Sequence, residues 1–307
     1  MKYNLIGKRY WFFLLSIIII IPGIIGLILW GLPFSIDFTS GSYLEVQFES
    51  GKLPQPAEII ALYNEAGIKD SKVQTTNQGS LVIRTTDITN DQNNQLISTM
   101  EKKYNDKLTI LQFNTVGPAI GKEVARNAGI AVGLAAIGIL IYIWYAFRKT
   151  PNAHRYGVAA IIAMIHDVLV VLGVQAYLSH FLGWEFDSLF LTALLTVIGF
   201  SVHDSIVVFD RIRENSSIFR RLSFEQIVNH SIIQTLDRSI NTTLTVLLTL
   251  FTLALFGGVT IRHFVIILLV GIFSGAYSSI FNAAPILVVW ENREWNTWFK
   301  RKETKSA

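Results

Sequence analysis

Six long apolar stretches divide the chain, and each of them is long enough to cross a lipid bilayer. They lie at roughly 11–30, 128–147, 156–178, 188–209, 239–256 and 263–290. Because a membrane span needs about 20 predominantly apolar residues, the pattern predicts six transmembrane helices, numbered here as spans one to six. Span one follows basic residues, but its apolar core is long and no small-residue cleavage pattern follows it. We therefore interpret it as a retained anchor and not as a signal peptide.

The segment between spans one and two, residues 31–127, has a mixed pattern of strands and helices. Alternation predicts strands in SYLEVQF and KLTILQFNTVG, and a hairpin from SKVQTT and SLVIRTT around the NQG turn. Helical spacing predicts one helix over 56–67, stopped by Gly67, and a more polar one over 90–106. The order β-α-β-β-α-β is that of the ferredoxin-like split βαβ unit. The predicted fold class is therefore a membrane α-helical protein, with six transmembrane helices and one extracytoplasmic α+β ferredoxin-like domain between helices 1 and 2.

These patterns divide the chain into four parts. Residues 1–30 hold the N-terminal segment and span one, and residues 31–127 form the extracytoplasmic domain. Residues 128–290 hold spans two to six, with a predicted amphipathic helix on the cytoplasmic surface near 221–236. Residues 291–307 are predicted to be a cytoplasmic tail.

The composition fits this plan, since 51% of the residues are hydrophobic and only 16% are charged. The formal net charge is +4, and its arrangement is more informative than its size. Cationic residues cluster at alternate ends of the spans: Lys2, Lys8, Arg9, Arg148, Lys149, Arg155, Arg211, Arg213, Arg220, Arg221, Lys300, Arg301, Lys302 and Lys305. Because arginine and lysine mark the cytoplasmic side, both termini are predicted to be cytoplasmic. The charges follow the membrane boundary, so we expect no nucleic-acid partner.

Several classes of chemistry are excluded or left without support. The chain has no cysteine, which excludes disulfides and thiol-based metal or redox chemistry. It also lacks the phosphate-binding G-x-x-x-x-G-K-[ST] loop and the H-E-x-x-H and G-x-S-x-G motifs. Residues 31–127 contain no histidine and no carboxylate pair at catalytic spacing. We expect no enzyme activity, no cofactor and no metal site, and interpret this domain as a binding or mechanical module, with a structural plug as the alternative.

One carboxylate in span four is the main functional candidate. The apolar run LFLTALLTVIGF continues into SVHDSIVVFDRIREN, so Asp204 precedes the exit of the helix at Asp210 and Arg211. Asp204 shares a helix face with Arg211 and lies roughly 10 Å deeper. Burial disfavours an ionised carboxylate and a nearby arginine favours it, so such a group can gain and lose a proton as its surroundings change. The alternative is a fixed ion pair that holds helices in register.

Further polar residues in the spans complete the candidate set. Asp167 follows His166 in span three, roughly 17 Å from the cytoplasmic end. In span five Arg238, a possible partner of Asp204, begins a stripe of threonines at helical spacing: Thr242, Thr245, Thr249 and Thr252. The stripe predicts a wet path, or else threonines that pack closely and bond to their own backbone. His203 lies next to Asp204 but about 100° around the helix, and we add it as a relay candidate.

Small residues recur on one side of two spans. In span six they are Gly271, Gly275, Ser279 and Ala283, and in span two they are Gly129 and Gly133. Small residues allow helices to approach closely inside a membrane. Both faces are therefore predicted to pack against neighbouring helices.

The motifs described above also carry a resemblance to a known family. SVHDSIVVFDRIREN followed by LDRSINTTLT resembles the signature of SecF proteins, the smaller membrane partners of SecD in the protein-export accessory complex. IHDVLVVLG, FSIDFTSGSYLEVQF and GIFSGAYSSIFNAAP are also similar, and the resemblance covers nearly the whole chain in the right order. These proteins belong with the resistance-nodulation-division type of transporters, which use proton flow.

The resemblance implies a role in late protein export, driven by the proton-motive force across a prokaryotic plasma (inner) membrane. It implies as partners a SecD-like subunit, the Sec translocation channel, the exported unfolded polypeptide and protons. The family's proton-sensitive aspartate and arginine fall on Asp204 and Arg238, and Asp167 matches its His-Asp pattern.

This chain departs from the family's pattern at three positions. His203 stands where many relatives have asparagine, and Ser35 and Ser40 stand where glycines are common. The two serines predict a stiffer hinge at the membrane exit. Two alternatives to an export subunit remain: a proton-coupled exporter of small molecules or lipids from the same superfamily, and a passive membrane assembly factor whose buried charges are structural. The single small extracytoplasmic domain argues against the exporter.

Overall fold

A computed structural model of the chain describes residues 4–68, 70–76, 79–148, 150 and 152–295. Some predictions made above concern residues outside these ranges. They are the first two positions of the NQG turn, the tail beyond 295, and the basic residues Lys2, Lys149, Lys300, Arg301, Lys302 and Lys305.

The described residues form strands and helices in the following order: α1 (Arg9–Trp30), α2 (Ile36–Thr39), β1 (Gly41–Phe48), α3 (Pro56–Glu65), β2 (Lys72–Thr75), β3 (Leu81–Thr85), α4 (Asn90–Tyr104), β4 (Leu108–Val116), α5 (Pro118–Phe147), α6 (Ala153–Leu182), α7 (Ser188–Ile218), α8 (Phe224–Phe256), α9 (Val259–Ser278) and α10 (Ala284–Glu291). A 3-10 turn, Ile6–Lys8, precedes α1, and a π-helical turn, Ser279–Ala283, joins α9 to α10.

Six helices are long and apolar enough to cross a membrane, as the hydrophobic pattern predicts. They are α1, α5, α6, α7, α8 and the continuous helix from Ile261 to Glu291 that contains α9, the π turn and α10. Span two begins earlier than the predicted residue 128, because α5 starts at Pro118, directly after β4 and Gly117. Polar residues at the start of α5 extend the helix beyond its apolar core, and hydropathy alone does not detect them.

The amphipathic stretch near 221–236 is not a separate surface helix, and that prediction is wrong. It is the first part of α8, which runs without a break from Phe224 to Phe256. A capping box of Ser223 and Gln226 starts the helix, and no glycine or proline interrupts it before Gly257. The apolar side of this first part is buried among the other helices through Ile227, Val228 and Ile232. At about 1.5 Å per residue, α8 is roughly 50 Å long and extends well beyond the hydrocarbon core of a bilayer.

The chain forms two compact units, and residues 32–131 with 178–188 make up one of them. Its strands form one antiparallel sheet in the order β2-β3-β1-β4, with a bulge in β1 between Glu45 and Val46. Helices α3 and α4 bury their apolar sides against one face of this sheet. The core contains Leu44, Val46, Ile59, Leu62, Tyr63, Leu81, Ile83, Leu96, Ile97 and Met100. The polar helix α4 is stabilised at its start by a capping box of Thr89 and Gln92.

The connection between α6 and α7 belongs to the same unit as the sheet. Phe186 forms an isolated parallel β-bridge with Phe34, in which Phe186 N–H donates to Pro33 O at 2.8 Å and Ser35 N–H donates to Phe186 O at 3.0 Å. The rings of Phe34, Phe38 and Phe186 pack together with centroid distances of 5.2–6.1 Å. The connection is therefore held against the start of this unit by both backbone and side-chain contacts.

The second unit contains the remaining residues, and with them most of each of the six spans. Its buried apolar cluster includes Ile143, Phe147, Tyr156, Phe209, Ile212 and Val288. The most apolar windows of α6, α7 and span six are 44%, 50% and 56% buried, whereas those of α1, α5 and α8 are 17%, 11% and 11% buried. Helices α6 and α7 and span six thus form the centre of the bundle. Helices α1, α5 and α8 leave most of their surface uncovered by the described part of this chain.

Glycines set the closest helix contacts in this second unit. A Cβ on Gly271 of α9 would lie 2.1 Å from Val197 Cγ2 of α7, so only glycine fits there. Gly23 of α1 and Gly173 of α6 approach similarly closely, since a Cβ on Gly173 would lie 2.5 Å from Gly23 Cα. The close-packing face predicted for span six is present at Gly271.

The face predicted for span two is different. Within the described residues, no atom lies within 4 Å of a Cβ built on Gly129 or Gly133. These small residues of α5 therefore form no close contact with another helix among the described residues, and the prediction is not met there.

Candidate functional site

The two span carboxylates, Asp204 and Asp167, lie inside the second unit and have different surroundings. Asp204 is on α7 and is 8% exposed. The hydroxyl of Ser239, on α8, donates to its Oδ1 at 2.9 Å. Within the described part of the chain, its Oδ2 is buried without a hydrogen-bond partner. A buried carboxylate oxygen without a donor is unusual, because its desolvation is not compensated. This oxygen can accept a proton or a donor that the present arrangement lacks.

Arg238 is not the direct partner of Asp204 in this structure. It precedes Ser239 on α8, so it lies beside the residue that does contact Asp204. No salt bridge between Arg238 and Asp204 occurs among the described residues, and the side chains of Arg238 and His203 are exposed. The structure therefore brings the three predicted residues close along two neighbouring helices but leaves the Asp204 carboxylate and the Arg238 guanidinium unpaired with each other.

An open cavity of about 430 Å³ lies between α5, α7 and α8, and Arg238 is one of the residues that line it. Its lining includes Tyr142, Asp210, Arg211, Gln234, Thr235 and Arg238. Tyr142 lies on α5. The residues from α7 follow Asp204 in the chain, and those from α8 precede Ser239. The cavity can therefore hold water at the end of the bundle where the cationic residues cluster.

The threonine stripe of α8 is exposed and bonds to its own helix. Thr245 Oγ1 donates to Thr242 O at 2.8 Å, Thr249 Oγ1 to Thr245 O at 2.9 Å, and Thr252 Oγ1 to Leu248 O at 2.9 Å. Such backbone bonds satisfy a hydroxyl in lipid without another helix. The stripe does not line an internal path in this chain. The buried hydroxyls on the same helix are those of other residues, among them Ser239 and Thr243, which sequence reasoning did not identify.

Asp167 has the opposite environment and is 1% exposed. Ser201 of α7 and Ser278 of α9 donate to its Oδ2 at 2.5 Å and 2.6 Å, and Ser274 of α9 donates to Oδ1 at 2.7 Å. The neighbouring ring of His166 lies with Nδ1 at 2.9 Å from Oδ1. Both oxygens therefore have two partners each. This carboxylate connects α6, α7 and α9 and is saturated with hydrogen bonds.

The π turn places further polar groups between the two carboxylates. Ser279 Oγ lies 3.0 Å from the hydroxyl of Ser205, the residue after Asp204, and donates to Gly275 O at 2.8 Å. Asn282 Nδ2 donates to the Ser16 hydroxyl of α1 at 2.9 Å. A π turn adds one residue to a helical turn and is frequent at functional sites. Here it turns Ser279 toward α7 and Asn282 toward α1.

A network of charges closes the bundle near the basic residues of the N-terminus. Arg9 forms ion pairs with Glu294 at 2.6 Å and with Glu225 at 3.2 Å, and Tyr10 Oη donates to Glu294 at 2.6 Å. Burial raises the pKa of Glu294, but the hydrogen bonds from Arg9 and Tyr10 outweigh it and hold that pKa below its usual value. The network connects the start of α1 to the start of α8 and to Glu294, which follows α10 in the chain. Its contacts hold these three segments together.

No group of three or more metal-ligating side chains is found in the part of the chain that the structure describes. The polar groups that the structure brings together at the candidate site are the two buried carboxylates and the hydroxyls that contact them.

Two protein-family profiles match this chain, and one of them covers the residues of this site. The profile of the family described as protein export membrane protein SecD/SecF, C-terminal, matches residues 96–293, and the SecD/SecF GG motif matches residues 31–52. The chain is 58% identical to the protein translocase subunit SecF of Anaerolinea thermophila over 97% of each chain. It is 36% identical to the protein translocase subunit SecDF of Bacillus subtilis, covering 95% of this chain and 39% of that one.

A solved structure has the same architecture. The crystal structure of SecDF, described as a translocon-associated membrane protein, from Thermus thermophilus aligns with a TM-score of 0.80 at 34% sequence identity. The alignment covers 95% of this chain and 39% of that chain.

Proposed function

This chain belongs to the SecD/SecF family of protein-export membrane proteins, and from that premise we propose that it acts as the SecF-like subunit of a protein translocase. In this proposal it works with a SecD-like partner beside the Sec translocation channel and uses the proton-motive force to complete export of unfolded polypeptides. It is a multi-pass protein of a prokaryotic plasma membrane with both termini in the cytoplasm, and it is not an enzyme and needs no cofactor.

The unpartnered Oδ2 of Asp204 is the observation that carries the proton-coupled part of the proposal. A buried carboxylate with one donor can be protonated without loss of existing bonds, because the proton occupies the free oxygen. The driving force is sufficient, since one charge moved through 100 mV releases about 2.3 kcal/mol. Arg238 beside Ser239 supplies a charge that can approach Asp204 when the helices shift. We assign Asp167, which is saturated with donors, a supporting structural part.

The sizes of the relatives support a SecD-like partner. The SecDF chains of Bacillus subtilis and Thermus thermophilus are more than twice as long as the part that this chain matches. In those proteins the remaining length is joined to the SecF-like part in one polypeptide. The surfaces of α5 and α8 that this chain leaves uncovered are suited to a second membrane subunit. Gly129 and Gly133, which have no close neighbour here, would then pack against it.

The sheet unit supports the interpretation as an extracytoplasmic binding or mechanical module. The succession β1-α3-β2-β3-α4-β4 and the strand order β2-β3-β1-β4 fit a ferredoxin-like domain. In the proposal this domain lies outside the membrane and contacts the exported chain as it emerges. The basic residues at the other ends of the spans support this orientation.

Replacement of Asp204 by asparagine tests the proposal, with Asp210→Asn as the matched control. Asp210 lies on the same helix but is exposed and paired with Arg213. Export of a secreted reporter is followed in cells with the proton-motive force intact and collapsed, and membrane level and partner assembly are measured in parallel. We expect the Asp204 variant to assemble and to lose the force-dependent part of export, while the Asp210 variant keeps it. Normal export by the Asp204 variant would refute the proton-coupled role, and lost assembly would favour a passive assembly factor.

A further inference from the structure

A second titratable site lies outside the spans, in the connection between α6 and α7. Gly183, with a φ of 70°, ends α6, and α7 begins at Ser188. The second half of this connecting segment, residues 183–188, is held to the start of the sheet unit. Phe186 forms its β-bridge with Phe34, and Ser188 N–H donates to Asp37 Oδ2 at 3.0 Å. Directly before these two contacts, Glu185 lies against the sheet.

Glu185 lies against Arg84 of β3, with 2.6 Å between Arg84 Nε and Glu185 Oε1. Their side chains are 18% and 15% exposed, so the pair is largely shielded from water. The Arg84 guanidinium also donates to Gln74 Oε1 at 3.0 Å and lies 5.6 Å from the ring centroid of Tyr43. Arg84 is therefore held in place by β2 and β1, and the carboxyl must come to it.

The charges around Glu185 oppose one another. Arg84 and Lys72 favour the ionised carboxylate, whereas Asp187 and Asp37 disfavour it. Burial is the largest effect, and it raises the pKa of Glu185 to about 7 in spite of the arginine. A carboxyl free in water has a pKa near 4.3. The docked segment therefore holds the proton more tightly than an undocked one would.

The sign of the resulting pH dependence follows from linkage. A group whose pKa is raised in the docked state stabilises docking when it is protonated, and this contribution is lost as the pH rises from the undocked pKa to the docked pKa. Docking of residues 183–188 should thus be tightest at acidic pH, should weaken as the pH rises from about 4.5 to about 7, and should change no further above that range. The ion pair with Arg84 reduces this loss but does not reverse it.

We propose that Glu185 is an extracytoplasmic proton-binding site whose occupancy controls the docking of residues 183–188 on the sheet. The segment continues directly into α6, which carries Asp167, and α7, which carries Asp204. A proton bound at Glu185 therefore tightens the connection between those two helices on the outer side of the membrane. The assignment to the outer side rests on the orientation proposed above, but the proton-dependent docking does not.

Hydrogen exchange of the backbone amides in the full-length chain, reconstituted in lipid nanodiscs, tests this inference. Protection factors, which are corrected for the intrinsic pH dependence of exchange, are measured for residues 183–188 between about pH 5.5 and 8.5. The Phe186 amide, which donates to Pro33 O, is the most direct reporter. We expect its protection to fall on the order of thirtyfold as the pH rises from 5.5 to about 7, and to stay level above that. Glu185→Gln, a neutral isostere of the protonated group, should keep the high protection at every pH.

Two further variants complete the experiment. Glu65→Gln removes an exposed carboxylate of the same unit and should follow the unmodified chain. Asp187→Asn removes a negative charge near Glu185, so the fall in protection should move to lower pH. Protection that does not change with pH in the unmodified chain would overturn the inference, as would a pH dependence that persists in Glu185→Gln. Low protection at all pH values in Glu185→Gln would also overturn it. None of these measurements involves export, so they can fail while the proposed function stands.

Discussion

Replacement of Asp167 by asparagine should destabilise the bundle far more than the same replacement at Asp204. Asp167 accepts hydrogen bonds from Ser201, Ser274 and Ser278 and contacts His166, so that both oxygens are saturated. Asparagine exchanges one of these oxygens for an NH₂ group, which donates and cannot accept. At least one serine hydroxyl then faces a donor inside the protein.

The magnitude follows from the charge of the acceptor. Hydrogen bonds to a charged group contribute about 1.5–3 kcal/mol each, whereas those between neutral groups inside membrane proteins average about 0.6 kcal/mol. Asp167→Asn loses the charge for all its bonds, so we expect the free energy of unfolding to fall by about 2–4 kcal/mol. Asp204→Asn changes one bond, from Ser239, and places its amide where Oδ2 has no partner. Its loss should stay below about 1.5 kcal/mol.

The assay is unfolding of the purified chain by titration with sodium dodecyl sulfate in mixed micelles, followed by circular dichroism. Ser274→Ala and Ser278→Ala should each lower the free energy of unfolding by about 1.5–3 kcal/mol in the presence of Asp167. In the Asp167→Asn background their effects should shrink to well below 1 kcal/mol, on the scale of neutral bonds. Equal losses in Asp167→Asn and Asp204→Asn would refute the reasoning, as would serine effects that do not depend on Asp167.

Three other predictions concern packing, charge and backbone conformation. Gly271→Ala should lower the free energy of unfolding by about 1–3 kcal/mol because its Cβ would collide with Val197, whereas Gly133→Ala, which meets no atom, should be neutral or slightly stabilising. Unfolding in the same detergent titration checks both. Glu294 has a lowered pKa, so its stabilising contribution should be present near neutral pH and should be lost as the pH falls below about 4.5. The measurement is the difference in unfolding midpoint between the unmodified chain and Glu294→Gln, which should vanish at acidic pH. Ser40 has a φ of 63°, so Ser40→Val should cost about 1–2 kcal/mol while Ser40→Gly should cost nothing, and a thermal melt that ranks them the other way contradicts this.

Hydrophobic periodicity was sufficient to predict the six spans and the order of strands and helices in the sheet unit. Each of these elements buries one side, and burial imposes a period of two or 3.6 on the local sequence. The pattern fails where a helix leaves the apolar environment. The start of α5 at Pro118 and the start of α8 at Phe224 both lie in polar sequence that remains helical. At α8 a capping box begins the helix, and no proline interrupts either helix after its start.

The candidate site was predicted in part. A carboxylate in an apolar span is conspicuous, so Asp167 and Asp204 could be identified from their surroundings in sequence. Their partners could not, because serine is common in membrane helices and its role depends on how neighbouring helices are rotated. One available signal was the spacing of Ser274 and Ser278, which places both hydroxyls on one face of span six. Arg238, a possible partner of Asp204 in the sequence, does not contact it directly in this structure, because the contact falls to the adjacent Ser239.

The contacts of α1 have a consequence for the synthesis of the protein. Ser16 bonds to Asn282, which is 266 residues later in the chain, and Gly23 packs against Gly173. At translation rates of about 5–20 residues per second, the first helix waits roughly 10–50 s for its last neighbour to leave the ribosome. During that time its contacts remain incomplete, and until Gly173 is made it has neither of these partners in lipid; it also has the highest mean hydropathy of the six spans, 3.0. The apolar character of α1 is thus suited to its long wait as an unassembled helix, and a polar substitution on its lipid-facing side should act first on membrane insertion and only later on the finished fold.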